Sequence, residues 1–292
     1  VQSLRWEQDM TLRRPIIVVA FEGWNDAGEA ASLAASYLAR AWRAEPVATI
    51  DAEEFYDFTS TRPEVTAGED SARTIIWPDT EILGARIPGS QHDLVIVRGV
   101  EPQLRWKTFA GLVVEAAVRL GAEMAVTLGA LLADVAHSAP ARVSGASEDQ
   151  ELAERLCLVR PRYEGPTGII GVLSDAFNTR GIPTASLWAA VPHYVHQLTS
   201  PKAALALVER SSALLGAPVD AHELRVAARE YERRVDERVA DDAEAAAYVA
   251  ALESQGDTDW GEVSEEERLP LEDSHGLAAE VEQFLEDHRS SD

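Results

Sequence analysis

Eight polar side chains are spaced so that a folded chain could bring them to one place. Glu22, Asn25 and Asp26 lie between or beside Gly23 and Gly28, Arg98 and Glu101 flank Gly99, Glu164 and Thr167 belong to the turn around Gly165-Pro166-Thr167-Gly168, and His193 follows Pro192. In a cleft, Glu22 or Asp26 would accept a proton while Arg98 holds an anion. The same residue types also suit structural work. Asn25 and Asp26 are good helix caps, and Arg98 can pair with an acid to fix the loops. The Gly-Pro-Thr-Gly turn could offer backbone amides and the Thr167 hydroxyl to an anion at a helix start.

Other chemistries find little support. Gly23 and Gly28 are five apart, but no Lys-Ser or Lys-Thr follows, and the pattern G-x-G-x-x-G is missing. Lysine occurs only at Lys107 and Lys202, too few for a set of cations around transferred phosphates. His193 and His196 are three apart, with no acid nearby to complete a metal set. The stretch Val143-Ser144-Gly145-Ala146-Ser147 supplies no nucleophile elbow after a strand. The single cysteine, Cys157, leaves no internal disulfide and no cysteine cluster. No residue is therefore assigned as catalytic, and neither a metal nor a cofactor is expected.

The elements that must carry the eight residues can be read around them. Ile16, Ile17, Val18, Val19, Ala20 and Phe21 form an apolar run without alternation, as expected of a central parallel strand covered on both faces. Ala30, Leu33, Ala34, Tyr37, Leu38 and Ala41 then recur at helical spacing. This puts Glu22, Asn25 and Asp26 at the carboxyl end of a central strand, where open α/β sheets bind ligands. Further strands are expected at 47–50, 93–97, 124–128 and 184–190, and helices at 106–120, 169–180 and 201–215. Residues 1–14 read as an edge strand or arm, and 137–148 have loop composition, with Glu148 or Asp149 opening a helix through Cys157. Residues 51–90, with Phe55, Tyr56, Phe58 and Trp77, read as a β-rich excursion: a lid, a subunit contact or a hairpin covering a sheet edge. Strands alternating with helices at this spacing indicate a three-layer α/β/α sandwich with a mostly parallel sheet.

The net charge is −24, and from residue 220 to 292 there are 23 acids against 7 bases, a net of −16. The expected division is a core of residues 1–219 and an acidic helical region of residues 220–292. In that second region Leu224, Ala228, Tyr231, Val235 and Val239 trace a helical stripe, and a second alanine-rich helix follows. A polar linker near 255–270 then precedes an amphipathic helix carrying Leu277, Val281, Phe284 and Leu285, which packs on its own domain, a neighbouring subunit or a partner. Such acidity argues against a nucleic-acid partner, whose binding needs clustered Lys and Arg. The most apolar region, 109–136, is broken by Glu115, Arg119, Glu123 and Asp134, so no membrane span is expected. The first residues lack a basic region followed by an apolar one, and a cytoplasmic location is expected.

Several motifs together resemble the bacterial branch of the proteasome assembly chaperone 2 family. They are Phe21-Glu22-Gly23-Trp24-Asn25-Asp26-Ala27-Gly28, Glu54-Phe55-Tyr56-Asp57-Phe58 with Thr61-Arg62-Pro63, Ile76-Trp77-Pro78, Gly165-Pro166-Thr167-Gly168, Gly181-Ile182-Pro183, and Pro192-His193-Tyr194 with Pro201-Lys202-Ala203-Ala204. The resemblance implies a mixed-sheet sandwich of the phosphorylase/hydrolase-like kind and a homo-oligomer, a trimer above all. It also implies a non-catalytic assembly factor with proteasome subunits as partners. The alternative is an enzyme or ligand-binding module acting on a small polar molecule in the cleft.

Overall fold

The computed structural model describes residues 3–67, 73–255 and 274–290. In chain order the elements are β1 (Leu4–Trp6), β2 (Ile16–Glu22), α1 (Ala30–Ala41), β3 (Glu45–Ile50), β4 (Glu64–Ala67), β5 (Arg73–Ile76), β6 (Thr80–Ala85), β7 (Leu94–Val100) and α2 (Trp106–Leu120). They continue with β8 (Met124–Ala133), β9 (Val143–Ala146), α3 (Gln150–Arg155), α4 (Ile169–Thr179), β10 (Thr184–Pro192), α5 (Pro201–Leu214), α6 (His222–Ala240), α7 (Ala243–Gln255) and α8 (Ser274–Ser290).

Eight strands form one mixed sheet in the order β1-β3-β6-β7-β2-β8-β10-β9. The four central strands, β7, β2, β8 and β10, are parallel. Pairing towards both edges is antiparallel. The apolar runs explain the centre, because a strand covered on both faces needs no polar alternation. In β2 every residue from Ile16 to Phe21 is buried. Ile16, Val18 and Ala20 face α1 and α5, while Ile17, Val19 and Phe21 face α2 and α4. On the second face Phe109 meets the rings of Phe21 and Phe55 edge-on at 5.7 and 5.3 Å, a favoured aromatic geometry. The α/β/α sandwich expected from the alternation of elements is the observed fold.

Three stretches differ from the sequence expectation. The strand expected to begin at 124–128 continues through Gly129 to Ala133, where it stays paired with β10 as far as Pro192; the Trp188 ring lies over Gly129, and an added Cβ there would come within 2.6 Å of that ring. The loop expected at 137–148 contains β9, a short edge strand that β10 templates. The excursion at 51–90 divides in two: β6 enters the main sheet between β3 and β7, and among the described residues β4 pairs only with β5. Both strands of that hairpin are exposed along their length, with Val65, Ile75 and Ile76 each more than half exposed. Phe58 meets Trp77 edge-on at 4.9 Å at its base.

The C-terminal helices pack on the first face of the sandwich. Leu224, Ala228, Tyr231 and Val235 bury the inner stripe of α6 against α5. Val281, Phe284 and Leu285 of α8 are buried where α8 meets α5 and α3. The linker expected near 255–270 lies, from residue 256 on, outside the described residues, as does the side chain of Leu277.

Candidate functional site at the carboxyl ends of the strands

The eight candidate residues fall into two adjacent clusters, one outlying histidine and one exposed turn. The first cluster joins the end of β2 to the start of α4 through Glu101. Its backbone amide donates to the Glu22 carbonyl at 2.8 Å, which fixes the β7 loop beside β2. Its Oε1 then accepts from the Ile169 amide at 2.8 Å and from Asn25 Nδ2 at 3.3 Å, and its Oε2 accepts from the Trp24 amide at 3.4 Å. Helices leave their first amides unsatisfied and favour negative charge there. Glu101 supplies both remedies to α4 from 68 residues away. The anion expected at the Gly-Pro-Thr-Gly turn is thus, at the Ile169 amide, one that the chain provides itself. Gly168 is required at this junction: an added Cβ would lie 2.1 Å from Asn25 Nδ2 and 2.7 Å from Glu101 Oε1.

The second cluster lies on the α1 face. Asp26 Oδ1 accepts from the amides of Ala31 at 2.7 Å and Ser32 at 3.2 Å, capping α1. Its other oxygen, Oδ2, is buried and has no hydrogen-bond partner among the described residues. Arg98 donates from Nε to Glu81 at 2.8 Å and from a terminal nitrogen to Ser36 Oγ at 3.1 Å. Glu22 is exposed at the strand end, but partial desolvation of its carboxyl raises it above its ordinary value, Glu29 pushes it further, and Arg98 opposes. Burial likewise raises Asp26, against the bonds from Ser32 and Ala31 and with a further push from Glu22. Glu22 therefore feels the charge of Arg98 and in turn acts on Asp26, whereas Asn25 and Glu101 work at the neighbouring helix start.

The remaining three stand apart. Glu164 and Thr167 are exposed, and the Thr167 side chain folds over the first turn of α4, where it crowds the position of a Cβ on Gly171. His193 belongs to a different constellation: its Nδ1 is 3.0 Å from Asp134 Oδ1, and its ring meets Tyr194 at 5.9 Å and Tyr248 of α7 at 5.5 Å. Nearby, the buried His137 bonds Tyr194 Oη at 2.7 Å and Asp236 Oδ1 at 2.9 Å. Sequence reasoning missed His137, Asp134 and Tyr248 because β8 runs further than its apolar core suggests, and because α6 and α7 fold back over the strand ends. The motif Pro192-His193-Tyr194 was the available signal.

What this arrangement can do chemically is limited. Its carboxylates mostly accept from backbone amides, and its guanidinium is paired. Two cavities lie elsewhere: one of about 20 Å³, room for a water, lined in part by His137, Ser200, Lys202 and Tyr231, and one of about 340 Å³ beside α8. None of the eight residues lines either. Among the described residues no group of three or more His, Cys, Asp or Glu side chains is placed to hold a metal, and no helix is long and apolar enough to cross a membrane.

Known proteins share this framework. A solved PAC2 family protein from Streptomyces avermitilis is 47% identical, with a TM-score of 0.76 over 80% of this chain and 99% of that one. A proteasome-assembly chaperone homologue from Mycobacterium tuberculosis is 43% identical, with a TM-score of 0.73 over 80% and 99% of the two chains. A Mycobacterium tuberculosis protein of unknown function is 30% identical, with a TM-score of 0.77 over 87% and 88%. No curated protein matches the sequence. The model of the PAC2 family matches residues 20–239, which hold all eight candidate residues, all of β7, β8 and β10, and the last three residues of β2. On that match and those identities, the chain is a member of the PAC2 family.

Proposed function

We propose that this protein is a non-catalytic, chaperone-like assembly factor of the cytoplasm, acting on protein partners of the proteasome type and working as a homo-oligomer, a trimer by resemblance to bacterial relatives. The observation that carries this reading is the internal use of the strand-end residues. Asp26 caps α1, Glu101 caps α4 and Arg98 is paired with Glu81, so the groups that a cleft enzyme would turn towards a substrate hold the fold instead. The 43% identity to a protein named as a proteasome-assembly chaperone homologue supports the same reading. The hairpin β4–β5, with its exposed Val65, Ile75 and Ile76, is the surface we assign to subunit contact, since two strands alone bury too little to stand free of a neighbour.

A second reading, a small polar ligand bound at Glu22, Asp26 and Arg98, is favoured by one atom: Asp26 Oδ2 is buried without a partner. One experiment separates the two. The tagged chain is captured from a lysate of its own host and its companions are quantified against an Ile75→Ser, Ile76→Ser variant. Enrichment of proteasome subunits supports the assembly role, and recovery of the chain alone refutes it. Sedimentation of the purified chain as a monomer would refute the oligomer.

A further inference from the structure

His92 is buried beside α8, far from any role in the strand-end clusters, and the fold holds its ring in one place. Its backbone amide donates to Ser90 Oγ at 2.9 Å, and Ser90 in turn donates to the Leu215 carbonyl at 2.6 Å, which ties the loop before β7 to the end of α5. Ring Nδ1 lies 2.8 Å from the Arg14 carbonyl, and Nε2 lies 3.0 Å from Glu282 Oε2 on α8.

Both partners of the ring are acceptors. A carbonyl has no proton to give, and an ionised carboxylate only accepts. Neutral imidazole carries one N–H, so one of the two contacts would set lone pair against lone pair. Imidazolium carries two and satisfies both. His137 provides the contrast: its Nε2 faces Asp236 Oδ1 at 2.9 Å, but its Nδ1 faces the Tyr194 hydroxyl at 2.7 Å, which can donate. One ring proton suffices there.

The charges around His92 make the same demand. From the N-terminal arm, the Arg14 guanidinium binds Glu282 and, at 3.0 Å, Glu123 just before β8. One cation thus serves two carboxylates, and an imidazolium beside Glu282 cancels the remaining negative charge. Asp93, next to the ring in sequence, is engaged by Arg13 and by the Ile87 amide. The cavity of about 340 Å³ has His92 in its wall together with Glu282, Gln283 and Glu286 of α8, so a further acid faces the ring from the helix and solvent has room to exchange its proton. Burial would raise the Glu282 carboxyl, but the bonds from Arg14 and His92 outweigh it and hold it below its ordinary value of 4.5.

We propose that His92 is a proton-dependent latch on α8: the docked helix holds the doubly protonated ring against Glu282, and loss of one ring proton loosens α8 from the core. Docking takes up a proton wherever the undocked ring is neutral, so α8 opens more readily as pH rises through the range in which imidazoles titrate. Glu282 acts in the opposite sense, and its contribution is lost only as pH falls through its lowered value, below 4.5. Val281, Phe284 and Leu285 bury the helix in either state, so the latch sets how often α8 opens rather than whether it docks.

Hydrogen exchange on the full chain reads the latch. Protection factors of the α8 amides, each taken against the unstructured rate at the same pH, should fall at least about fourfold between pH 6 and pH 8, and by no more than about tenfold per pH unit, the limit for one proton. Those of β2 should stay level. Glu282→Gln lets a neutral ring accept from an amide, and His92→Gln gives Glu282 an amide donor, so each should flatten the α8 dependence whatever it does to absolute protection. His288→Gln is the control: His288 stacks on the Phe284 ring at 5.6 Å, and its removal should leave the dependence in place. Should a latch variant fail to fold, nitrogen NMR of the native chain decides: at pH 7, where ordinary imidazoles are mostly neutral, both ring nitrogens of His92 are expected to carry protons. Level α8 protection from pH 6 to pH 8, an unaltered dependence in His92→Gln, its loss in His288→Gln, or a neutral His92 ring at pH 7 would each overturn the proposal.

Discussion

Replacing Glu101 by alanine tests the central claim about the site, namely that its carboxylate closes the fold. The substitution removes the acceptor of the Ile169 amide at 2.8 Å and of Asn25 Nδ2 at 3.3 Å. Ile169 is fully buried, so water reaches its orphaned amide poorly. A hydrogen bond to a charged group contributes about 1.5–3 kcal/mol, and losing a cap costs about 0.5–2 kcal/mol. Glu101 is half-buried, which sets the expected loss near the overlap, about 2 kcal/mol, or roughly 30-fold in the folding equilibrium. Glu101→Gln keeps an acceptor in place and should lose about 1 kcal/mol or less. Denaturant unfolding gives the loss, and hydrogen exchange locates it: the amides at the start of α4 should lose protection while those of α1 keep theirs. The reasoning is refuted if the alanine variant stays within about 0.5 kcal/mol of the native protein with α4 still protected. Glu101 would then be free for a ligand.

Asp26→Asn keeps an acceptor for Ala31 and Ser32 and offers an amide donor where Oδ2 now has no partner. Burial raises the Asp26 carboxyl in the fold, so its contribution to stability is full below its ordinary value of 3.8 and is lost as pH rises through the raised one. Denaturation across pH should therefore find the asparagine variant at least as stable as the native chain at pH 7, with its advantage vanishing towards pH 4; a variant clearly weaker at pH 7 sinks this account. Gly168→Ala drives a methyl into Asn25 and Glu101 and should cost about 1–3 kcal/mol, part of which an added Asn25→Ala returns; full tolerance of the single change contradicts the packing. Tyr248→Ala removes edge contacts to His193 and Tyr194 and should loosen α7 by about 1 kcal/mol, read as faster exchange confined to α7.

The fold was legible where burial leaves a one-dimensional trace. The runs 16–21, 93–97, 124–128 and 184–190 mark the parallel centre because a strand covered twice has no room for polar alternation. Asp26 as a cap was legible too, because its partners Ala31 and Ser32 are five and six residues away. Glu101 was named, but its role was not readable: the bond to Ile169 exists only through the register that sets β7 beside β2 and α4 behind both. The four residues of β9 take their conformation from β10 rather than from their own small side chains, and composition alone returned a loop. Val65, Ile75 and Ile76 lie in the stretch read as a β-rich excursion, but their exposure was not readable, since apolar residues on an exposed hairpin look the same in sequence as those covering a sheet edge.

These successes and failures share a physical origin that bears on the function. A cap supplied by a neighbour in sequence and one supplied by a distant strand satisfy the same orphan amide, so residue type cannot tell a structural acid from a catalytic one; only the count of remaining acceptor sites can. In Glu101 Oε1 takes two donors and Oε2 a third at longer range, while Asp26 keeps one oxygen unused. A non-catalytic role is therefore best supported at Glu101 and least supported at Asp26 and Glu22. If Asp26→Asn proves neutral or stabilising, the buried unused acceptor of the cluster is explained by the chain's own electrostatics, and the search for function moves to the Glu22 carboxylate and outward, to the exposed hairpin.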